Sequence, residues 1–408
     1  MNIVNDSIIH KLKKAIDKAE VTETIKKLIS IPSYPGIACQ ETGVAGFIGD
    51  FFAGAGIQAE LTEVLEGRCN VIAKLPGSGA GRSLLLTGHM DTVPPYDMPD
   101  ACSPKIVEGK IFGRGAVDMK GPLACMMHAI LALKNSGVTL NGDLLFAGVI
   151  GEETDCQGTM DLIARKIKTD GAIVGEPSNM TLSIGHRGLE WFEFKFSGTG
   201  IHGGSKHEGH SAIDHAVAFI NEVNKRILSE LPKRTHPVIA HSDMNIGLIQ
   251  GGTQPSSVAG ECVVQIDRRW VPSESYESVV NEYQCVLDGL QKTLHGFNGQ
   301  MRSMTDNRKN KHRYVCMPLD TPKGHAMTNS AYKAIELATG QGPQITAFDA
   351  WSDGGLLSGY GHIPTVIFAP GKLKNAHSAH EHIETKDLAD SVLAYALMSA
   401  LFCGVSGP

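Results

Sequence analysis

Five places in this 408-residue chain put imidazole or carboxylate groups where they could act together on a metal ion. They are His89 with Asp91 in SLLLTGHMD, Asp118 in GRGAVDMKGP, the Glu152 and Glu153 pair in FAGVIGEE, Glu176 in GAIVGE, and His377 shortly after VIFAPG. Four of the five follow a nearly continuous apolar run. Each of these therefore stands at or just beyond the carboxyl end of an expected strand, the edge where open α/β sheets carry their ligands. Asp118 lies in a glycine-rich loop ahead of an apolar helix, where the backbone can turn tightly enough to aim a carboxylate inward. A borderline cation such as zinc takes imidazole and carboxylate ligands. Two such ions roughly 3.5–4 Å apart can share a carboxylate and a water that becomes hydroxide near neutral pH. The set would suffice with His89 and Glu176 on one ion, Glu153 and His377 on the other, and Asp118 between them. Glu152 is then left beside the cluster as a general base, and Asp91 can hold His89 in the correct tautomer.

The elements that must position these groups read as α/β. Short apolar runs at 70–75, 83–89, 143–151, 171–176 and 364–371 suit strands covered on both faces of a mostly parallel sheet. Helical patterns at 43–55, 122–135 and 329–339 lie between them, which makes a sheet sandwiched by helices the expected fold. The middle of the chain has another texture. GLEWFEFKFSGTG alternates like a half-exposed antiparallel strand. It is followed by a helix (SAIDHAVAFINEVNKRI), two strands (MNIGLIQGG, GECVVQIDRRW), a second helix (SYESVVNEYQCVLDGL) and a closing strand at RYVCMP. That order describes a ferredoxin-like α+β domain inserted into the first, with boundaries at 1–186, 187–317 and 318–408.

Bulk composition narrows the function classes. With 42% hydrophobic and 20% charged residues the chain is an ordinary globular one, which excludes disorder and coiled coil. A formal charge of −6 and the lack of a long basic run argue against nucleic acid as a partner. The first twenty residues read as an amphipathic helix rather than a signal peptide. SVLAYALMSALFCGV, about 15 residues where a membrane span needs roughly 20, reads as a buried C-terminal helix. Nine scattered cysteines without a CxxC pair fit reduced thiols in the cytoplasm. No GxSxG elbow supports a serine hydrolase.

In order along the chain stand GHMDTVPP, GRGAVDMKGPLA, the EE pair of GEETDCQGT, GEPS, SDGG and APGxxxxAHxxxE. Together they resemble the metallopeptidase and deacylase family that includes acetylornithine deacetylase, succinyl-diaminopimelate desuccinylase and glutamate carboxypeptidase. The resemblance implies a zinc-exopeptidase-like catalytic domain interrupted by a lid or dimerisation domain, and hence a homodimer. It implies two zinc ions, with cobalt or manganese as alternatives, held by His89, Asp118, Glu153, Glu176 and His377, and Glu152 as general base. The substrate would be an N-acyl amino acid or short peptide. A dipeptidase, a carboxypeptidase and a non-catalytic binding protein that keeps the fold are the competing readings.

In the inserted domain GTGIHGGSKHEGHSAI is similar to the family's GxxxHxxxPxxGxNAI, which implies that His202 polarises the scissile carbonyl. Lys206 or His207 stands where proline is usual and His210 where asparagine is usual, so the register of this loop stays open. Asn245 and Arg269 are similar to the positions that grip a substrate carboxylate, a task suited to the guanidinium fork. Arg268 is a rival, since DRR leaves the register open by one. Gly371 would offer a backbone N–H to the substrate. Asp353 in WSDGG reads as a partner of the ligands or as a turn residue, while His207, His210 and His215 read as surface or helix residues.

Overall fold

Apolar runs that cannot face water on either side become the inner strands of a sheet. In the computed structural model, which describes residues 4–305 and 312–406, the chain divides into two units, Met1–Gly185 with Leu319–Pro408, and His186–Pro318. The first unit begins with α1 (Asp6–Lys14), α2 (Lys18–Ser30), α3 (Thr42–Gly54), β1 (Gln58–Leu65) and β2 (Arg68–Leu75). Next come β3 (Leu84–His89), α4 (Lys120–Ser136), β4 (Leu144–Val149), α5 (Gln157–Ala164), β5 (Gly171–Val174) and β6 (Leu182–Ser183). The second unit contributes β7 (Gly188–Ser197), α6 (Ala212–Val223), β8 (Asp243–Gly251), β9 (Glu261–Trp270), α7 (Tyr276–Thr293) and β10 (Gly299–Ser303). The chain then returns to the first unit with α8 (Ala326–Thr339), β11 (Ile345–Thr346), α9 (Gly354–Gly359), β12 (Thr365–Ile367) and α10 (Leu388–Cys403).

The first unit is built on an eight-stranded sheet in the order β1-β2-β4-β3-β5-β12-β6-β11. Its centre, β4-β3-β5-β12, is parallel throughout, and antiparallel pairs flank it at β1–β2, β2–β4 and β12–β6. One face buries Leu85, Ala147, Val149, Ala172, Val174 and Ile367 against Leu162 of α5 and Leu357 of α9. On the other side α4 and α10 pack on β3, and α8 packs on β12. Because α4 and α10 are apolar almost all round, both are buried along nearly their whole length.

The second unit is a four-stranded antiparallel sheet in the order β8-β9-β7-β10 with two helices on one face. Phe192, Phe194 and Phe196 of β7 and Val264 and Ile266 of β9 point inward against Phe219 of α6 and Tyr283 of α7. Ring centroids of Phe194 and Phe219 are 4.4 Å apart.

Two local expectations need correction. The amphipathic N-terminal stretch is two helices rather than one, because the Asp17 side chain accepts the Ala19 and Glu20 N–H groups and so caps α2. Residues 1–3 of that stretch lie outside the described residues. The closing strand of the second unit is β10, not RYVCMP, of which only Cys316 bridges Leu189. As a half-exposed edge strand, GQMRS carries none of the apolar alternation that announces an inner one.

One buried histidine ties three helices of the first unit together. His128 in α4 meets the Thr24 hydroxyl of α2 at 2.8 Å and sets its ring edge-on to Phe51 of α3, with centroids 5.2 Å apart. Burial pushes its pKa down to about 4, with only Asp17 opposing. The folded state therefore binds fewer protons than the unfolded state between about pH 4 and pH 6.5. This contribution to stability is complete above about pH 6.5 and declines as the pH falls toward 4. Over that window it amounts to about 3 kcal/mol. Melting temperatures of His128→Gln, which keeps a hydrogen-bonding side chain, should fall less steeply across this range than those of the wild-type chain. Equal slopes would remove His128 as the cause.

Candidate metal centre and active site

Four adjacent parallel strands end on one edge of the sheet, and a chemistry-bearing residue leaves each of them. His89 is the last residue of β3, Glu152 and Glu153 follow β4 after Ile150 and Gly151, Glu176 follows β5 after Gly175, and the segment leaving β12 reaches His377. Asp118 comes from the loop before α4 and joins Met119 through a cis peptide bond. Met119 turns back, and its sulfur accepts the His89 N–H at 3.3 Å.

The structure brings these five groups together around Asp118. Its Oδ1 lies 3.0 Å from His89 Nε2 and its Oδ2 lies 3.3 Å from His377 Nε2. The same Nε2 of each imidazole faces a second carboxylate. Glu176 Oε1 is 3.8 Å from His89 Nε2, and Glu153 Oε1 is 2.9 Å from His377 Nε2. One ligand atom each of His89, Asp118 and Glu153 lies within 4.8 Å of the others, close enough to share a single cation.

Asp91 serves this cluster in two ways. Its backbone carbonyl, which can only accept, lies 3.0 Å from His89 Nδ1, so Nδ1 carries a proton and Nε2 is turned toward the Asp118 carboxylate. The carboxylate stands further from the ring, at 3.5 Å, and accepts the N–H groups of Glu152 and Glu153 at 3.2 and 3.0 Å. Asp91 thus orients His89 largely through its main chain, while its carboxylate mainly holds the turn of the glutamate pair.

Electrostatics marks the site as deficient in positive charge. Burial works against the charge on Asp118, yet His377 and His89 hold its carboxyl well below the usual range. Glu152 and Glu176 are pushed well above their ordinary value, first by burial and then by neighbouring carboxylates. Hydrogen bonds that His377 donates to Asp118 and Glu153 lift it to about 10. Buried Glu176 Oε1 has no hydrogen-bond partner among the described residues. A buried anionic oxygen in that condition is costly, and a cation beside it would relieve both the lone oxygen and the crowding. The donor set of imidazole and carboxylate is the one divalent zinc accepts, so the residues fit a metal site.

Two charged residues within the quoted motifs, Arg114 and Glu381, received no role from the sequence. They form a buried pair at 2.5 Å. Glu381 Oε1 accepts the N–H groups of Val117 and Asp118 at 3.1 and 3.2 Å, while Arg114 donates to the carbonyls of Pro94, Pro95 and Ser378. One fork thus ties together the loops that carry His89, Asp118 and His377. Membership in GRGAVD and AHxxxE was the available signal. Asp353 is buried, accepts from Thr159 Oγ1 at 2.7 Å, and is raised to about 6, mainly by burial. Gly371 adopts φ +92°, where a side chain would also collide with Val117, and its carbonyl accepts the Asn179 N–H at 2.7 Å.

The residues expected in the inserted unit are arranged as follows. His202 precedes a short 3-10 turn, and its Nδ1 accepts the Gly204 N–H at 3.1 Å, which leaves Nε2 to carry the ring proton. Asn245 pairs with Asp267 across β8 and β9, while Arg269 forks onto Asp267 at 2.7 and 2.9 Å, so all three share the open face of the sheet. Arg268 points the other way. It is fully buried, 2.5 Å from Glu274.

The family model for Peptidase family M20/M25/M40 matches residues 85–400. N-formyl-4-amino-5-aminomethyl-2-methylpyrimidine deformylase of Bacillus subtilis (strain 168) is 28% identical over 412 residues, covering 94% of this chain and 95% of the relative. Acetylornithine deacetylase of Myxococcus xanthus is 28% identical over 367 residues, covering 86% and 89%. The crystal structure of an M20 family metallo-carboxypeptidase from Sulfolobus solfataricus shares the fold with a TM-score of 0.77 at 17% identity, covering 95% of this chain and all of that one. From the match over 316 of its 408 residues, the chain belongs to peptidase family M20/M25/M40.

Proposed function

We propose that this chain is a dinuclear metal hydrolase that cleaves the amide bond of an N-acyl amino acid or short peptide. The observation that carries this reading is Asp118 placed between His89 and His377, with Glu176 and Glu153 flanking and Glu152 at hand. His89, Asp118 and Glu176 would hold one ion, and Asp118, Glu153 and His377 the other. Two divalent cations, in our reading zinc, would supply polarisation of the scissile carbonyl and acidification of water. Glu152 takes the proton of the attacking water on its carboxylate and delivers it to the leaving nitrogen. Burial beside Glu176 suits it, since a carboxyl held above its ordinary range keeps the proton long enough to pass it on. His202, whose tautomer leaves Nε2–H free to donate, stabilises the developing oxyanion. Asn245 and Arg269 bind the substrate carboxylate, which displaces Asp267 from the Arg269 fork. The Gly371 N–H serves as a further donor.

A homodimer through the inserted unit belongs to the same reading. β8 is an edge strand that exposes Leu248 and Ile249, the latter 54% accessible, and α6 exposes Ile213 and Val217 one turn apart. An apolar edge of this kind is what a second copy can pair with. We place the protein in the cytoplasm. No disulfide joins the described cysteines, and no described helix is long and apolar enough to cross a membrane.

The test is a hydrolysis screen of the zinc-loaded protein. It covers N-formyl, N-acetyl, N-succinyl and N-carbamoyl amino acids and dipeptides, with the freed amine read by ninhydrin. Glu152→Ala should lower kcat/KM by about 10²–10⁴ with bound metal unchanged. Loss of metal together with fold would assign Glu152 a structural role. Arg269→Ala should raise KM about tenfold for carboxylate-bearing substrates. Arg268→Ala, which removes one of the two arginines on buried Glu274, should instead lower stability, by about 1.5–3 kcal/mol; an unchanged KM in Arg269→Ala removes it as the clamp. By light scattering, Ile249→Asp should be a monomer where the wild-type chain is a dimer, and a dimeric variant would move the interface elsewhere.

A further inference from the structure

The turn that carries Glu152 and Glu153 is held by side chains from distant parts of the first unit. Four consecutive N–H groups leave it, and each goes to a side chain. Ile150 donates to Asn70 Oδ1 at 3.0 Å, Gly151 to Glu41 Oε1 at 3.1 Å, and Glu152 and Glu153 to the Asp91 carboxylate. Asn70 also donates to the Gly158 carbonyl at 2.9 Å, which spans the turn from end to end. The Gly151 carbonyl in turn accepts from Thr154, Asp155 and Cys156. Gly151 sits at φ +74°, and an added Cβ would meet Asp155 Oδ1 at 2.5 Å. The backbone here is wound into one shape, and that shape depends on where the four acceptors stand.

Glu41 is the acceptor whose position most needs explaining. It lies just before α3 and is fully inaccessible. Arg68 at the start of β2 grips it as a fork, Nε to Oε2 at 2.8 Å and Nη2 to Oε1 at 2.5 Å, so that Oε1 serves Arg68 and Gly151 together. The two anchors are themselves tied. Thr42, next to Glu41, donates its hydroxyl to the Gly67 carbonyl at 2.6 Å and accepts the Cys69 N–H at 3.1 Å. A buried ion pair is a weak source of net stability, since apolar residues of the same volume commonly do as well. What the pair supplies, and an apolar substitute would not, is an acceptor oxygen at a defined point. The Arg114–Glu381 pair reaches the same end with a different division, one glutamate oxygen on arginine and the other on the N–H groups of the Asp118 loop.

We propose that Glu41, clamped by Arg68, is a positioning residue that sets the 151–153 turn and through it the aim of Glu152. This rests on the reading of Glu152 as general base. A misplacement of about 1 Å at such a group costs on the order of a hundredfold in rate. The variants are Glu41→Gln, which keeps the shape but turns one oxygen into a donor facing Arg68, and Arg68→Lys, which keeps the buried charge but loses the fork.

Two measurements decide. In the metal-free protein, hydrogen exchange of the 148–156 segment should quicken by about tenfold or more in both variants while the rest of the sheet exchanges as in the wild-type chain. In the zinc-loaded protein, kcat on the best substrate of the screen should fall by about ten- to a hundredfold with KM within about threefold of wild type. Unchanged exchange overturns the proposal, as does quickened exchange with wild-type kcat, or a rise in KM alone. If Glu41→Gln does not fold, the same outcomes are read from Arg68→Lys. No turnover by the wild-type chain would defeat the hydrolytic reading, and the role of Glu41 in aiming a base along with it. The exchange data would then show separately whether the hold on the turn had failed.

Discussion

Several carboxylates must be kept together, largely out of water and aimed at a common point, and most of the first unit can be understood from that demand. Burial alone disfavours each charge, and each carboxylate raises the pKa of its neighbours. Asp118 escapes because two imidazoles face its two oxygens. Glu176 does not, and its Oε1 meets no donor among the described residues. The arrangement is therefore electrostatically incomplete in the way a cation-binding site is.

The contacts that hold the site follow one pattern. The loops at the carboxyl edge of a parallel sheet have no ladder partners, so their N–H groups need acceptors from elsewhere. Here the acceptors are buried carboxylates, Asp91 for the glutamate pair, Glu381 for the Asp118 loop and Glu41 for Gly151. Arginine forks neutralise two of them. The helices on both faces of the sheet supply the rigid frame, with α4 and α10 apolar on every side because each lies within the core.

The inserted unit obeys the simpler logic of alternation. Residues of β9 point alternately to the helices and to the open face, so two adjacent arginines have opposite fates. Arg268 is absorbed into a buried network with Glu274, whereas Arg269 faces outward beside Asp267 and Asn245. A one-residue slip would exchange them. Sequence alone left that register open, because DRR reads equally well in either phase.

Much of the candidate site was legible in the sequence because strands buried on both faces are written as apolar runs, and in such sheets the chemistry gathers where the runs end. His89, Glu153, Glu176 and His377 could be found in this way, and Asp118 from its glycine-rich loop. Less was legible where structure is weakly written. β10 has no apolar alternation, and the break between α1 and α2 is a single capping aspartate inside a continuing amphipathic pattern. Hydrophobic periodicity is a local property, so the α/β layering and the residue types available for chemistry can be read along the chain. That Glu41 and Arg68 meet Gly151, that Arg114 and Glu381 clasp three loops, and which arginine faces outward emerge only once the chain is folded. These contacts join groups up to 267 residues apart, and no local pattern of side chains records such a partnership.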